Sequence, residues 1–160
     1  MTAAEWRSIV EGWDEQLKAL RLAPVQDIRT TLEMTLAALS SLLTGDPVPF
    51  VGLWSRADDV TVVGGFGAFE RGWQRAKANT ESAAARFVNG RLLDVELVTL
   101  GASASGDLAF SVWIERAEVS VAGRNGPAPL MVRATHIFRR EDDSWRLIHR
   151  HGDQVAERRS

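Results

Sequence analysis

Histidine, carboxylate, guanidinium, indole and hydroxyl groups are the chemistry this chain has to work with, because it holds neither cysteine nor tyrosine. The lack of cysteine excludes thiol catalysis, cysteine-ligated zinc and iron–sulfur clusters, and it fits a reducing cytoplasm. The lack of tyrosine excludes any phenolic acid or oxyanion donor. The sharpest constellation is His149, His151 and Asp153. Residues two apart on a strand point the same way, with ring centres about 6–7 Å apart by strand geometry. Such a pair suits proton shuttling, a base oriented by the Asp153 carboxylate, or two legs of a metal site. A metal would need His136, Glu115 or Asp153 as a third ligand. One histidine could equally pack in the interior while the other hydrogen-bonds at a rim. The expectation is a catalytic role without a metal.

Glu115 and Arg133 form a second constellation, since neighbouring antiparallel strands can set a carboxylate beside a guanidinium. The pair could orient a substrate carbonyl or carboxylate, or serve as an ordinary cross-strand ion pair. Thr135 adds a hydroxyl donor between the strands. Trp54, Phe66, Phe69, Trp73 and Trp113 are expected to line an apolar pocket for a flat ring. The glycine-rich Gly64-Gly65-Phe66-Gly67 lacks the strand–turn–helix spacing and lysine of a phosphate loop, and no serine sits in a nucleophile elbow.

The elements that would hold these residues follow from periodicity. Trp6, Val10, Trp13, Leu17 and Leu20 recur at helical spacing before Pro24. A second helix is predicted from Val25 to Leu43, stopped by Gly45. Asp46-Pro47 opens a short helix toward Trp54. Val60–Val63 is a short strand, Trp73 to about Val88 a third helix, and Asn89-Gly90 its end. From Leu92 onward the chain reads as strands: Leu92–Leu100, Leu108–Val121, Leu130–Arg140 and Trp145 to about Gln154. Strict alternation along the last strand sets Trp145, Leu147, His149, His151 and Asp153 on one face. Arg146, Ile148, Arg150 and Gly152 fall on the other. Helices first and hairpin-connected strands after predict an α+β fold with a curved antiparallel sheet.

The 160 residues suffice for one domain with its own core, and 45% hydrophobic and 25% charged residues are ordinary for a globular chain. Nineteen basic against twenty-one acidic residues leave a formal charge of −2, without the basic excess of a nucleic-acid binder. No apolar run reaches the roughly 18 residues of a membrane span, and acidic residues interrupt any leader-like N-terminus. The reading is a cytoplasmic protein without nucleic-acid or membrane partners.

Several stretches resemble the SnoaL-like family: Ala38-Leu39 through Gly45-Asp46-Pro47, Leu53-Trp54-Ser55, Asp59-Val60-Thr61, Gly65-Phe66-Gly67 and Gly72-Trp73. Arg133 to Arg140, an acidic turn and Trp145 to His151 carry the resemblance further. This ending is also similar to the association domain of calcium/calmodulin-dependent kinases. The family belongs to the superfamily of nuclear transport factor 2 and ketosteroid isomerase. The resemblance covers roughly residues 25–155 and implies a cone-shaped barrel, a sheet wrapped around helices with a pocket at the wide end. It also implies a homodimer paired through the outer sheet face. The boundaries expected are an accessory helix over 1–23, the domain over 24–156 and a tail over 157–160. The activity implied is a cofactor-free isomerase, dehydratase or cyclase acting on a small apolar ketone or polyketide-like substrate. In that reading His149 or His151 shuttles a proton, Asp153 and Glu115 are alternative bases, and Arg133 stabilises an enolate. The alternative is a non-catalytic ligand-binding or dimerisation module.

Overall fold

The computed structural model describes residues 2–19, 25–64 and 66–155. The break at Pro24, Gly65 of the glycine turn and the tail over 157–160 lie outside the described residues. The first apolar stripe forms two helices rather than one, α1 (Ala3–Glu11) and α2 (Asp14–Ala19), separated at Gly12-Trp13. Thr2 and Glu5 cap α1 reciprocally, which closes two of its free backbone donors. α3 spans Val25–Leu43 as its spacing predicts, and Gly45 follows it at φ +95°. The short α4 (Val48–Leu53) comes next, with the Asp46 carboxylate accepting from the Val48 N–H at 3.0 Å.

β1 (Thr61–Gly64) turns back into β2 (Ala68–Arg71), a strand the sequence pattern does not announce. α5 ends earlier than predicted, at Ala84, and β3 (Phe87–Ala102) takes in Asn89-Gly90 instead of stopping there. The reason is a close approach: a Cβ on Gly90 would lie 2.4 Å from the Leu43 carbonyl oxygen, so glycine lets β3 pass the end of α3. β4 (Leu108–Val121), β5 (Ala128–Glu141) and β6 (Ser144–Gln154) complete the chain.

The six strands make one curved, unclosed sheet in the order β2-β1-β6-β5-β4-β3. It is antiparallel except where β1 runs parallel to β6. That junction is tight: Gly64 pairs with Gly152, and a Cβ on Gly64 would strike the Gly152 carbonyl oxygen. The α+β class read from the sequence is what the chain adopts. α3 lays Ile28, Leu32, Leu36, Leu39 and Leu43 against the inner sheet face, where Val95, Trp113, Ala134, Phe138 and Leu147 are buried. No described helix is long and apolar enough to cross a membrane.

The segment expected as an accessory helix reaches into this same core. Val10, Trp13 and Leu17 are buried, and the Trp13 ring lies 5.7 Å from that of Trp113. The Gln16 amide also donates to the Leu97 carbonyl of β3. Trp13→Ala should therefore cost roughly 3–5 kcal/mol of unfolding free energy, the loss expected for truncating a buried aromatic. Urea denaturation followed by far-UV circular dichroism measures it, and a loss under about 1 kcal/mol would show the helices to be surface attachments.

Candidate functional site

Inward-facing positions of β4, β5 and β6 meet the helices around a cavity of about 260 Å³. α3 and α4 contribute Leu39, Leu42, Leu43 and Phe50, and Trp54 follows α4. The sheet adds Val62, Val63, Phe87, Leu130 and Val132, and Phe66 stands at the β1–β2 turn. Asn79, Thr80 and Gln154 are its neutral polar groups. Among the described lining residues only Glu115 and Arg150 carry charge.

These two are joined as a fork. Arg150 Nη1 donates to Glu115 Oε1 and Nη2 to Oε2, each at 2.9 Å. Their side chains are only 15% and 6% exposed, so little water competes for the pair. The Trp113 indole N–H donates to the same Oε1 at 2.8 Å. Behind the guanidinium, His136 is fully buried and its Nε2 is hydrogen-bonded to Arg150 Nη1. A guanidinium has no acceptor, so His136 Nε2 must be the unprotonated nitrogen and Nδ1 carries the hydrogen. That hydrogen points to Ser111 Oγ at 3.4 Å. Burial, and next the Arg150 charge, push the His136 pKa well below its ordinary value, which keeps the ring neutral. The Phe50 ring centroid lies 5.5 Å from Arg150 Cζ.

Arg150 reaches this place because β6 does not alternate strictly. Leu147 pairs with Phe138 and His149 with Ile137, so Ile148 is an extra residue on β6. The bulge reverses the phase. Trp145 and Leu147 face inward before it; Arg150 and Gly152 face inward after it. The expectation that His149, His151 and Asp153 share the face of Leu147 is corrected accordingly, for all three lie on the outer face. His149 Nδ1 is 2.7 Å from Thr61 Oγ1, and burial together with the His151 charge lowers its pKa. His151 is exposed, and Asp153 binds Arg133 through Nε at 3.3 Å and through Nη2. The Arg133 hydrogen bond holds the Asp153 carboxyl below its usual range.

The Glu115–Arg133 pairing is corrected too. Register sets Arg133 opposite Ile114 and Glu115 opposite Val132, so the two side chains leave opposite faces. Thr135, opposite Val112 and His151, is likewise on the outer face. Of the aromatics, Trp54 and Phe66 line the cavity, and the buried Trp54 indole N–H has no protein partner among the described residues. Trp113 lies behind Glu115 as its donor. Trp73 is buried outside the lining, with the Arg56 guanidinium 4.6 Å from its ring. Phe69 is 84% exposed, pointing away on the edge strand β2. Arg150 and Ser111 are the members that sequence reasoning missed, and His136 figured there only as a metal ligand. The adjacent apolar pair Leu147-Ile148, which breaks the alternating pattern, is the signal that could have placed Arg150. Among the described residues no three His, Asp or Glu side chains cluster as metal ligands.

The SnoaL-like domain family matches residues 28–157. No curated protein matches by sequence. Among solved structures, the chain is similar to a protein from Streptomyces avermitilis described as a dehydratase of the NTF2-like family. Identity is 21% over 79% of this chain and 95% of that one, with a TM-score of 0.61. A calcium/calmodulin-dependent kinase II association-domain protein from Thiobacillus denitrificans is also 21% identical, over 79% and 93%, at a TM-score of 0.59. A ketosteroid isomerase-like protein from Erwinia carotovora atroseptica is 13% identical over 77% and 92%, again at 0.59. These likenesses show the fold.

A depressed histidine pKa lowers stability as pH falls, because the unfolded chain then binds the proton the folded ring refuses. Stability should drop by about 1.4 kcal/mol per pH unit below about pH 6.5 for His136 alone, with His149 adding to it. His136→Gln should flatten that slope between pH 6.5 and 5, above the range where the carboxylates titrate. Urea midpoints at each pH test this, and an unchanged slope in the variant would place the titration elsewhere.

Proposed function

Because the chain belongs to the SnoaL-like domain family, we propose that it takes a small, largely apolar molecule into the cavity and moves a proton on it without a cofactor, as an isomerase, dehydratase or cyclase. One observation carries this reading: an apolar cavity whose lining, among the described residues, holds a single carboxylate, Glu115, and a single guanidinium, Arg150. The names of the similar structures, a dehydratase and a ketosteroid isomerase-like protein, favour the same class of chemistry.

The roles follow from the hydrogen bonds. Glu115 Oε1 already accepts from Trp113 and from Arg150, whereas Oε2 accepts from Arg150 alone. Oε2 is therefore the oxygen with a lone pair to spare, and it takes a proton from the carbon next to a substrate carbonyl. The electrons of that C–H bond pass to the carbonyl oxygen as an enolate, whose charge Arg150 offsets. Protonated Glu115 then returns the proton to another carbon in an isomerisation, or to a departing hydroxyl in a dehydration. Arg150 transfers no proton at any stage, since a guanidinium stays charged. The neutral His136 and the Trp113 indole hold the pair in place.

A second reading has an observation of its own. Both Glu115 oxygens are already occupied by Arg150, the pattern of a structural ion pair, and one similar structure is named an association domain. In that case the cavity binds without turnover.

Deuterium exchange at the α-carbons of small cyclic ketones, followed by NMR, separates the two. Glu115→Gln should slow exchange by about 10²-fold or more per folded molecule. Glu115→Asp, which keeps the charge but withdraws it by one methylene, should be slowed as well. Wild-type protein that binds such ketones without accelerating exchange would establish the second reading.

The homodimer belongs to the same proposal. The outer face of β4 and β5 carries Phe110, Met131, Val112, Ile114 and Ile137, all exposed or half-buried. Light scattering at micromolar concentration should give the mass of two chains, and Ile114→Arg should give one. A monomer in the parent protein would remove this part of the proposal.

A further inference from the structure

Arg150 has five N–H groups, and its partners account for three of them. Nη1 gives one hydrogen to Glu115 Oε1 and its other to His136 Nε2; Nη2 gives one to Glu115 Oε2. The Nε–H and the second Nη2–H remain, with no acceptor among the described residues. In a planar guanidinium these two hydrogens lie parallel on one edge, on the side away from the Nη1 hydrogen that His136 receives. Arg150 lines the cavity. Its own strand does not wall off this edge either, for Gly152 has no side chain, and even a Cβ there would come only to 3.5 Å from Nη2.

A parallel N–H edge fits one doubly accepting oxygen or a bidentate carboxylate, and the charge of the cavity decides between them. Glu115 already neutralises Arg150, and no other charged side chain among the described residues lines the space. His136 stays neutral through burial beside the guanidinium. An anion seated there would bring an unmatched negative charge into an apolar enclosure beside the Glu115 carboxylate, and it would be rejected. A neutral oxygen enters without that cost and gains attraction only when it becomes an enolate. We propose that the free Nε–H/Nη2–H edge of Arg150 is the anchoring subsite, and that it takes the carbonyl oxygen of an uncharged cyclic ketone in preference to a carboxylate or phosphate. This rests on the reading of the cavity as a proton-transfer site and names its substrate class. Phe50, beside the same guanidinium, offers its ring as a surface for a flat ligand.

Three probes share one bicyclic skeleton: 2-tetralone, 2-naphthoate and the hydrocarbon tetralin. Calorimetry measures their affinities, and the Arg150 Nε–H resonance in nitrogen-15 spectra reports contact with the subsite. 2-Tetralone should shift that resonance and bind at least about tenfold tighter than either other probe. Arg150→Lys keeps a cation opposite Glu115 but removes the edge. It should cost 2-tetralone about tenfold in affinity and leave tetralin unchanged. Tighter binding of 2-naphthoate, equal binding of tetralin and 2-tetralone, or no shift of the Nε–H resonance by 2-tetralone at millimolar concentration would each overturn the subsite. Should Arg150→Lys not fold, the three wild-type measurements decide alone. Binding of 2-tetralone at the edge without accelerated deuterium exchange would sink proton transfer while leaving the anchoring subsite standing.

Discussion

One extra residue in the last strand governs the interior of this protein. Without the bulge at Ile148, strict alternation from Leu147 would turn His149 and His151 inward and Arg150 out. With it, the half of β6 beyond Leu147 changes phase, and every inward position gained is used. Arg150 meets Glu115 and His136, and Gly152 and Gln154 line the cavity. The bulge is held from outside its own ladder: the Ser55 N–H donates to the Leu147 carbonyl at 2.9 Å, and Trp54 bridges to the same residue in parallel. The chain leaving α4 thus pins the point where β6 changes phase.

The ion pair created in this way is expensive in isolation. Removing a carboxylate and a guanidinium from water costs several kcal/mol for each ion, and only good geometry recovers it. The interior supplies that geometry through the two-point fork, a third donor from Trp113 and an acceptor from His136. A neutral His136 matters here, because an imidazolium would set a second cation against Arg150 and lose the acceptor the guanidinium needs. Size matters as well. Ser111, His136 and Arg150 share one level of the sheet, and Glu115 stands two inward positions further along β4. The intervening inward residues on β5 and β6 are Ala134 and Gly152, so the long Arg150 side chain can run over them to its partner. The apolar wall, the small residues and the neutral ring are conditions for a single contact.

The sequence announces the parts of this arrangement that depend on local periodicity. The limits of α3, the inward face of β4 and the α+β order follow from apolar spacing and glycine stops. Glu115 is placed inward by the alternation through Trp113 and Ala117, as the structure confirms. What the pattern does not convey is its own interruption. Leu147-Ile148 reads equally as a strand of high β-propensity and as a bulge, and only the ladder to β5 distinguishes them. The partner of Glu115 is hidden for the same reason, lying 35 residues away on a strand whose phase changes just before it. Asn89-Gly90 misleads differently, since a helix terminator and a glycine needed for backbone clearance look alike until Leu43 is seen beside it.

The two faces of β4, β5 and β6 divide the titratable groups by environment. Outward positions hold His149, which hydrogen-bonds Thr61, the exposed His151 and the Arg133–Asp153 pair. Inward positions hold a carboxylate, a guanidinium and an imidazole whose hydrogen bonds fix where each proton sits. Neighbours along a strand therefore belong to different chemical settings, and a change at one outward site need not disturb the inward network. The apolar walls come mostly from α3, β1 and β5, with Phe50 of α4 and Phe87 of β3, while the charged floor comes from β4 and β6. Containment and chemistry are thus supplied by different stretches of chain. A few inward substitutions on two strands could alter the chemistry while the container stays intact, which is a physical reason for one fold to carry dehydratase, isomerase-like and association-domain names among its solved structures.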